Sequence, residues 1–213
     1  MAAIQIPSTT KGKATRQRLL AVASEQAIAS QGHIELAQIA RQAGVVQGVV
    51  HRYFGSKSGL ISAMVDDYYD RFHKQVLELY LNDAGDWAVH ERLRLRMGIQ
   101  FHYDEPLSAV LHSTFVRDPV VARKEAERID GVIDLTARGI VRAQRRGELP
   151  AHIDPELAGA AMFGAMQAVL SKALNRRRRP TPEQLEAILW QQVAASVGLD
   201  PHSGADSRWQ EDG

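Results

Sequence analysis

Apolar residues recur at spacings of three and four positions along most of the chain. The first series spans about residues 13 to 31 and consists of Leu19, Leu20, Ala23, Ala27 and Ile28. A period near 3.6 residues is typical of helices that bury one face. No segment keeps the two-residue alternation of a half-buried strand for long. The pattern therefore predicts an all-α fold with about nine helices.

Glycines and capping residues set the predicted ends of these helices. Two short helices are predicted over about 35–43 and 46–53, with Ala43-Gly44-Val45 between them. Ser56 is the predicted N-cap of a long fourth helix. Later helices are predicted to begin at Asp86, Asp104-Glu105-Pro106, Asp118-Pro119, Asp154-Pro155 and Thr181. The last of these starts has a proline in its first turn and Gln184 three residues after the cap, as in a capping box.

The two short helices have the dimensions of a helix-turn-helix, whose turn often contains glycine. In that motif the second helix is short and exposed enough to enter a DNA major groove about 12 Å wide. Gln47 suits a bidentate contact to adenine, and Arg52 suits guanine or phosphate. Val49 is placed to meet a thymine methyl group. Beside Ser56, Lys57 and the free N–H groups of the fourth helix form a predicted phosphate anchor.

Charge is distributed unevenly along the chain. The whole chain has a net charge of +1, but residues 1–60 hold seven basic and two acidic side chains, a net charge of +5. A basic end on an otherwise slightly acidic protein is an electrostatic footprint for a polyanion. The run Arg176–Arg179 is interpreted differently, as a solvated helix end that the helix dipole stabilises.

Composition excludes several classes of function. Cysteine is absent, so neither disulfides nor thiol catalysis is possible. The eight histidines show no ligand spacing, and we expect no metal and no cofactor. No apolar run approaches the roughly 18 to 20 residues of a membrane span, and the N-terminus lacks the pattern of a signal peptide. We therefore expect a cytoplasmic protein without a membrane partner.

The stretch from Ile39 to Leu60 resembles the DNA-binding domain of the TetR family of transcriptional regulators. The resemblance rests on an Ile-Ala pair, the Ala43-Gly44-Val45 turn, a glycine within the recognition helix, a Tyr-Phe close, and Ser-Lys followed by leucine. It covers about residues 14–74, and beyond them only the helix layout is similar. Three departures from the family pattern concern individual contacts. Val46 stands where the family usually has Ser or Thr, and His51 stands where it usually has Tyr. The segment 32–35 is shorter than usual and lacks a Ser or Thr cap for the second helix.

The residue pattern and the resemblance together predict four regions: a disordered arm (1–12), a DNA-binding domain (13–58, with the helix-turn-helix at about 34–53), an effector-binding and dimerisation body (59–198) and a flexible tail (199–213). With the chemistry of the side chains, it assigns DNA contacts to Thr15, Arg16, Gln47, Gly48, Val49, His51, Arg52, Tyr53, Ser56 and Lys57. For Tyr53 the alternative is a core aromatic residue.

The resemblance implies that the C-terminal body forms a homodimer mainly through its last two long helices, and the body is predicted to bind a small apolar effector. Small residues at three- and four-residue spacing, beside apolar ones, permit close helix approach, and the predicted interface consists of Ala158, Ala161, Ala165, Met166, Leu185, Ile188 and Leu189. An apolar lining with a few polar groups is typical of ligand sites. The predicted lining consists of Tyr68, Phe72, Met97, Phe101, His102, Leu111, His112, Phe115, Ile133 and Met162. The alternative is that these residues are plain core.

The resemblance to the TetR family implies a repressor, not an enzyme, that an effector releases from a palindromic DNA operator. A ligand-responsive activator is the alternative within the same class. Two alternatives lie outside that class. One is a helical enzyme or small-molecule carrier without DNA function, and the other is an adaptor that binds protein helices. No nucleophile, base and orienting group stand in a recognisable arrangement, which argues against the enzyme.

Overall fold

A computed structural model describes residues 7–78, 86–115 and 119–203. In these ranges the chain forms nine α-helices and one π-helical turn, and it contains no strand. The prediction of an all-α fold with about nine helices is confirmed.

The helices follow one another in chain order with short connections. In the numbering used below they are α1 (Thr10–Ala29), α2 (Leu36–Gln42), α3 (Gln47–Phe54), α4 (Lys57–Phe72), α5 (Trp87–Asp104), α6 (Leu107–Ser113), α7 (Pro119–Arg145), α8 (Pro155–Leu174) and α9 (Pro182–Ser196). The π-helical turn, His73–Leu77, directly continues α4.

The chain divides into two compact units, and the first comprises residues up to Arg71 together with 105–125. Its boundary differs from the predicted one at residue 58 because α4 packs within this unit. Leu60 and Met64 of α4 are buried, and the Tyr68 hydroxyl hydrogen-bonds Ser108 Oγ of α6 at 2.6 Å. The first unit therefore contains α1 to α4, α6 and the start of α7.

The second unit comprises residues 72–104 and the chain from residue 126 onward. Its core is built from α5, α7, α8 and α9 and includes Leu95, Ile140, Leu170, Leu189 and Trp190. A buried carboxylate also links two of these helices: Glu186 of α9 accepts hydrogen bonds at 2.8 Å from both Arg92 and Arg96 of α5.

Local caps account for several helix starts in both units. Asp154 accepts bonds from the backbone N–H groups of Glu156 and Leu157 at the start of α8. Thr181 and Gln184 form the capping box predicted for α9. These bonds satisfy donors that have no partner within their own helix.

The two chain ends differ from the predicted arm and tail where they are described. Helix α1 begins at Thr10, three residues before the predicted start at residue 13, because the Thr9 hydroxyl accepts the N–H of Gly12 and caps the helix. In the predicted tail, Leu199 packs against the core and Trp190 donates to the Pro201 carbonyl at 2.8 Å. Residues 1–6 and 204–213 lie outside the described residues.

Helix α8 is the one helix of the described ranges that is long and apolar enough to cross a membrane. The sequence prediction that no apolar run approaches that length was therefore wrong for residues 155–174. Alanine and glycine supply much of the run, and such a composition also occurs in core helices. The packing of α8 against α9, with Ala158, Leu170 and Leu174 buried, agrees with a core helix.

Candidate DNA-binding site

The turn between α2 and α3 is tight and is closed by backbone hydrogen bonds. Val45 donates to the Ala40 carbonyl at 2.9 Å, and Gly44 donates to the Arg41 carbonyl at 3.1 Å. Gly44 has φ +67°, a left-handed conformation that glycine adopts without steric cost. Ile39 and Ala40 are buried on α2, and Val50 and Phe54 are buried on α3. These contacts fix the two helices as the predicted helix-turn-helix.

Helix α3 exposes one face. Gln47, Gly48, His51 and Arg52 are exposed, and Val49 is half-buried. Because these positions are separated by one, three and four residues, the exposed side chains project from the same side of the helix. The structure thus brings together the polar residues predicted to contact bases.

Tyr53 lies on the other side of α3 and is only 7% exposed. The Arg52 guanidinium lies over the Tyr53 ring, 5.0 Å from its centroid, and Arg16 of α1 lies 5.3 Å from the centroid of the Phe54 ring. In such contacts the negatively polarised face of the aromatic ring attracts the cation. The burial of Tyr53 favours the core alternative over a base contact, because a residue packed there cannot reach a groove.

The start of α4 is positioned by a close approach to the end of α3. Gly55 has φ +74° and ends α3, and the Ser56 hydroxyl accepts the N–H of Gly59 at 3.0 Å. A Cβ on Gly59 would lie 2.0 Å from the Phe54 carbonyl oxygen, so only glycine fits there. Lys57 is exposed at this helix start, where the helix dipole also favours an anion.

Two further predicted contacts lie on α1. Thr15 donates its hydroxyl proton to the Lys11 carbonyl at 2.9 Å, and its side chain is half-buried. Arg16 is half-buried, and its guanidinium lies against Phe54. Lys11 and Lys13 on the same helix are exposed, although sequence reasoning counted them only toward net charge.

The departures from the family pattern have local structural consequences. Val46 is the N-cap of α3, makes no capping hydrogen bond and is 74% exposed. Glu35 likewise caps α2 without a side-chain bond, but its own N–H donates to Gln26 Oε1 of α1 at 2.8 Å. The start of α2 is therefore tied to α1 by a long-range bond that the local sequence does not reveal.

The residues predicted for the dimer interface fall into two groups. Ala161 and Ile188 are exposed, and Ala165 and Met166 are half-buried. Ala158, Leu185 and Leu189 are instead core residues of the second unit, so a partner could not reach them without opening that core. Leu157, which the prediction omitted, is 69% exposed.

The residues predicted for the effector site are divided between the two units. Tyr68, Leu111, His112 and Phe115 belong to the first unit, and the second contains Phe72, Met97, Phe101, His102, Ile133 and Met162. In the second unit the Phe72 ring lies 5.3 Å from the Phe101 ring and 5.2 Å from the His102 ring. Met97, His112 and Ile133 are half-buried, and the other seven are buried.

Burial also changes the ionisation of two of these groups. It lowers the pKa of His112 to about 4, which makes this imidazole neutral at pH 7. It raises the pKa of the Tyr68 phenol far above its usual value, against the opposing effect of the bond with Ser108. Both groups are therefore uncharged hydrogen-bonding groups at neutral pH. In the part of the chain described, no group of three or more His, Cys, Asp or Glu is placed to hold a metal ion.

This arrangement defines a class of protein. An exposed recognition helix after a glycine turn, in an all-helical chain, is the structure of a DNA-binding transcriptional regulator. Residues 22–64 match the family described as bacterial regulatory proteins, tetR family. Over these residues the chain is similar to the TetR family of transcriptional regulators.

Relatives that match over nearly the whole chain agree with this assignment. The chain is 25% identical over 201 residues to the HTH-type transcriptional regulator TtgR of Pseudomonas putida, covering 90% of this chain and 93% of TtgR. Among solved structures, the SmeT–triclosan complex has a TM-score of 0.72 with 20% identity and covers 91% and 98% of the two chains. NalD of Pseudomonas aeruginosa, the secondary repressor of a multidrug efflux pump, has a TM-score of 0.70 with 18% identity and covers 88% and 97%.

Proposed function

We propose that this regulator is a cytoplasmic repressor that binds a palindromic operator as a homodimer and is released by a small aromatic or apolar effector. The observation that carries the proposal is the exposed face of α3, with Gln47, His51 and Arg52 on one side of a short helix. A short exposed helix is what a major groove of about 12 Å accepts.

Each exposed group on this face suits a different part of DNA. Gln47 pairs with adenine, and Arg52 pairs with guanine or phosphate. His51 Nδ1 lies 3.3 Å from the Gly55 carbonyl. Since a carbonyl only accepts, Nδ1 must carry the proton of that bond, and Nε2 of the neutral ring is then an acceptor. Lys57 and the first N–H groups of α4 bind a phosphate, as do Lys11 and Lys13 by charge.

The proposed dimer forms through the exposed faces of α8 and α9. Leu157 and Ile188 are 69% and 51% exposed, the kind of apolar surface that a partner covers. The same face of α8 continues with three small exposed residues, Ala161, Gly164 and Ala168. Their small size lets two helices approach closely. A symmetric pair of recognition helices reads half-sites about 34–36 Å apart, or a multiple of that distance.

An aromatic effector is supported by the rings and hydroxyls of the predicted lining and by the relatives. The solved structure of SmeT is a complex with triclosan, and that of RolR is a complex with resorcinol. Within the first unit the chain offers a neutral hydroxyl pair at Tyr68 and Ser108, and within the second unit it offers aromatic rings at Phe72 and Phe101. An effector shifts the protein away from DNA only if it binds the released state more tightly.

The first experiment tests DNA recognition. A duplex is selected from a random library with the full-length protein, and its binding is measured by fluorescence anisotropy. We expect Arg52→Ala to weaken binding by about 1–3 kcal/mol and Lys57→Ala to lower the salt dependence by about one unit of slope. Arg138→Ala, an exposed arginine of α7, is the control. Unchanged affinity and salt dependence in both variants would refute the assigned site.

A second experiment tests the effector and the sign of regulation. Triclosan, resorcinol and an aliphatic control are added in thermal unfolding and in DNA binding. We expect the aromatic compounds to raise the unfolding temperature and to release DNA. A compound that tightens DNA binding would indicate the activator alternative, and a complete absence of thermal shifts would contradict the effector proposal.

A further inference from the structure

Four consecutive arginines, Arg176–Arg179, form the connection between α8 and α9 and are called the arginine loop here. All four are exposed, as is Lys172 in the last turn of α8. These residues place five positive charges within eight positions that contain no Asp or Glu. Within the described part of the chain, the side chains of Arg176, Arg177 and Arg178 make neither an ion pair nor a hydrogen bond.

The arginine loop is held at both ends. Asn175 donates its amide to the Ser171 carbonyl at 2.8 Å, where α8 ends. The Tyr103 hydroxyl of α5 donates to the Pro180 carbonyl at 3.0 Å, and the capping box at Thr181 starts α9 directly afterwards. Because the backbone is already fixed, a ligand that binds these side chains pays little to order the loop.

The helix dipole does not explain the arginine loop. The dipole favours cations within the last turn of a helix, a position that Lys172 already occupies. The arginines follow the end of α8 at Leu174 and repel one another. Arginine also differs from lysine in having a planar fork of donors that matches a phosphate.

Two carboxylates of the neighbouring helix α9 are engaged in bonds away from the loop. Glu186 is buried and bonded to Arg92 and Arg96. Glu183, in the first turn of α9, has a pKa lowered first of all by a hydrogen bond with Thr181. With both carboxylates engaged on α9 or α5, the loop is complementary to a polyanion.

We propose that the arginine loop binds backbone phosphates of duplex DNA that flanks the operator. This inference rests on DNA being the partner of α3. The planar guanidinium fork matches phosphate oxygens, and duplex DNA is the polyanion that this chain is proposed to bind through α3. Because the loop and α3 belong to one chain, DNA held by α3 is tethered to the loop, which favours DNA over a free polyanion.

The test compares two lengths of the selected duplex, one limited to the operator and one with about one helical turn of added DNA on each side. The variant Arg177→Gln/Arg178→Gln is measured beside Arg138→Gln/Arg145→Gln, which removes the same charge from exposed positions of α7. On the longer duplex we expect the loop variant to lower the slope of log K against log salt by about 0.9 for each lost phosphate contact. The control variant should leave this salt slope unchanged on both duplexes.

Other outcomes separate the competing explanations. Arg177→Lys/Arg178→Lys should keep the salt slope, because it keeps the charge, and an unchanged unfolding temperature verifies that each variant folds. The inference is overturned if the loop variant has the same salt slope as the control variant on both duplexes. It is also overturned if the loop variant lowers the salt slope as much on the short duplex as on the long one. Loop-dependent binding to phosphatidylglycerol vesicles with an unchanged DNA slope overturns it as well. Failure of the wild-type chain to select any duplex would instead overturn the proposed function.

Discussion

Three exposed glycines lie inside helices where the protomer itself does not require glycine: Gly48 of α3, Gly131 of α7 and Gly164 of α8. A Cβ built on any of them meets no atom within 4 Å. Alanine is favoured over glycine inside a helix by about 0.5–1 kcal/mol. We therefore expect Gly48→Ala to raise the free energy of unfolding by up to that amount. If DNA approaches α3 closely there, the added methyl group should weaken DNA binding by about 1–3 kcal/mol, as overpacking does.

The assay for Gly48→Ala combines urea unfolding with anisotropy on the selected duplex. Gly131→Ala is the matched control, because it should gain helix stability without any effect on DNA binding. Gly164→Ala should leave DNA contacts intact but weaken the dimer, which sedimentation measures as a rise in the dissociation constant. If Gly48→Ala binds DNA as tightly as Gly131→Ala does, α3 does not approach DNA at this residue and the assigned face is wrong.

Three further experiments test local interactions by urea unfolding. Val46→Thr should stabilise the protein by about 0.5–2 kcal/mol, because it supplies the missing N-cap bond of α3 and loses no buried apolar surface; no gain would mean that the α3 start is already satisfied. A double-mutant cycle of Tyr68→Phe and Ser108→Ala should give a coupling of about 0.5–1.5 kcal/mol; strict additivity would contradict the bond. The pKa of His112 is about 4 in the folded state, below its unfolded value, so the unfolding free energy should fall by about 3 kcal/mol as pH drops from about 6.5 to 4. His112→Gln should abolish that part of the pH dependence, and an identical pH profile would contradict the burial argument.

Local signals in the sequence predicted the helix-turn-helix correctly because they act over only a few residues. Gly44 and Gly55 end helices through their own backbone conformation, and Ser56 and Thr181 cap helices through bonds three residues away. The bond from Glu35 to Gln26, by contrast, joins residues nine positions apart. No local pattern specifies such a bond, so the start of α2 could not be explained from its own residues.

The predicted dimer residues fall into a buried and an exposed group for a different physical reason. Helix α8 carries Ala, Gly, Met and Leu on all sides, so its periodicity does not separate a face toward the core from a face toward a partner. The prediction therefore mixed Ala158, which is in the core, with Ala161, which is exposed. The position of the boundary between the units also depends on contacts that no local pattern specifies, since the bond between Tyr68 and Ser108 spans 40 residues.

The same buried pair restricts the chemistry of the proposed effector. A ligand that reaches Tyr68 must either leave its 2.6 Å bond with Ser108 intact or replace it. An aliphatic ligand that separates the pair would leave two buried hydroxyls without partners, at about 1–3 kcal/mol each. A phenol restores a bond by donating or accepting through its own hydroxyl. We therefore expect resorcinol to bind at least tenfold more tightly than toluene by calorimetry, and Tyr68→Phe to reduce this preference. An equal affinity for both compounds would show that the effector does not use the Tyr68 hydroxyl.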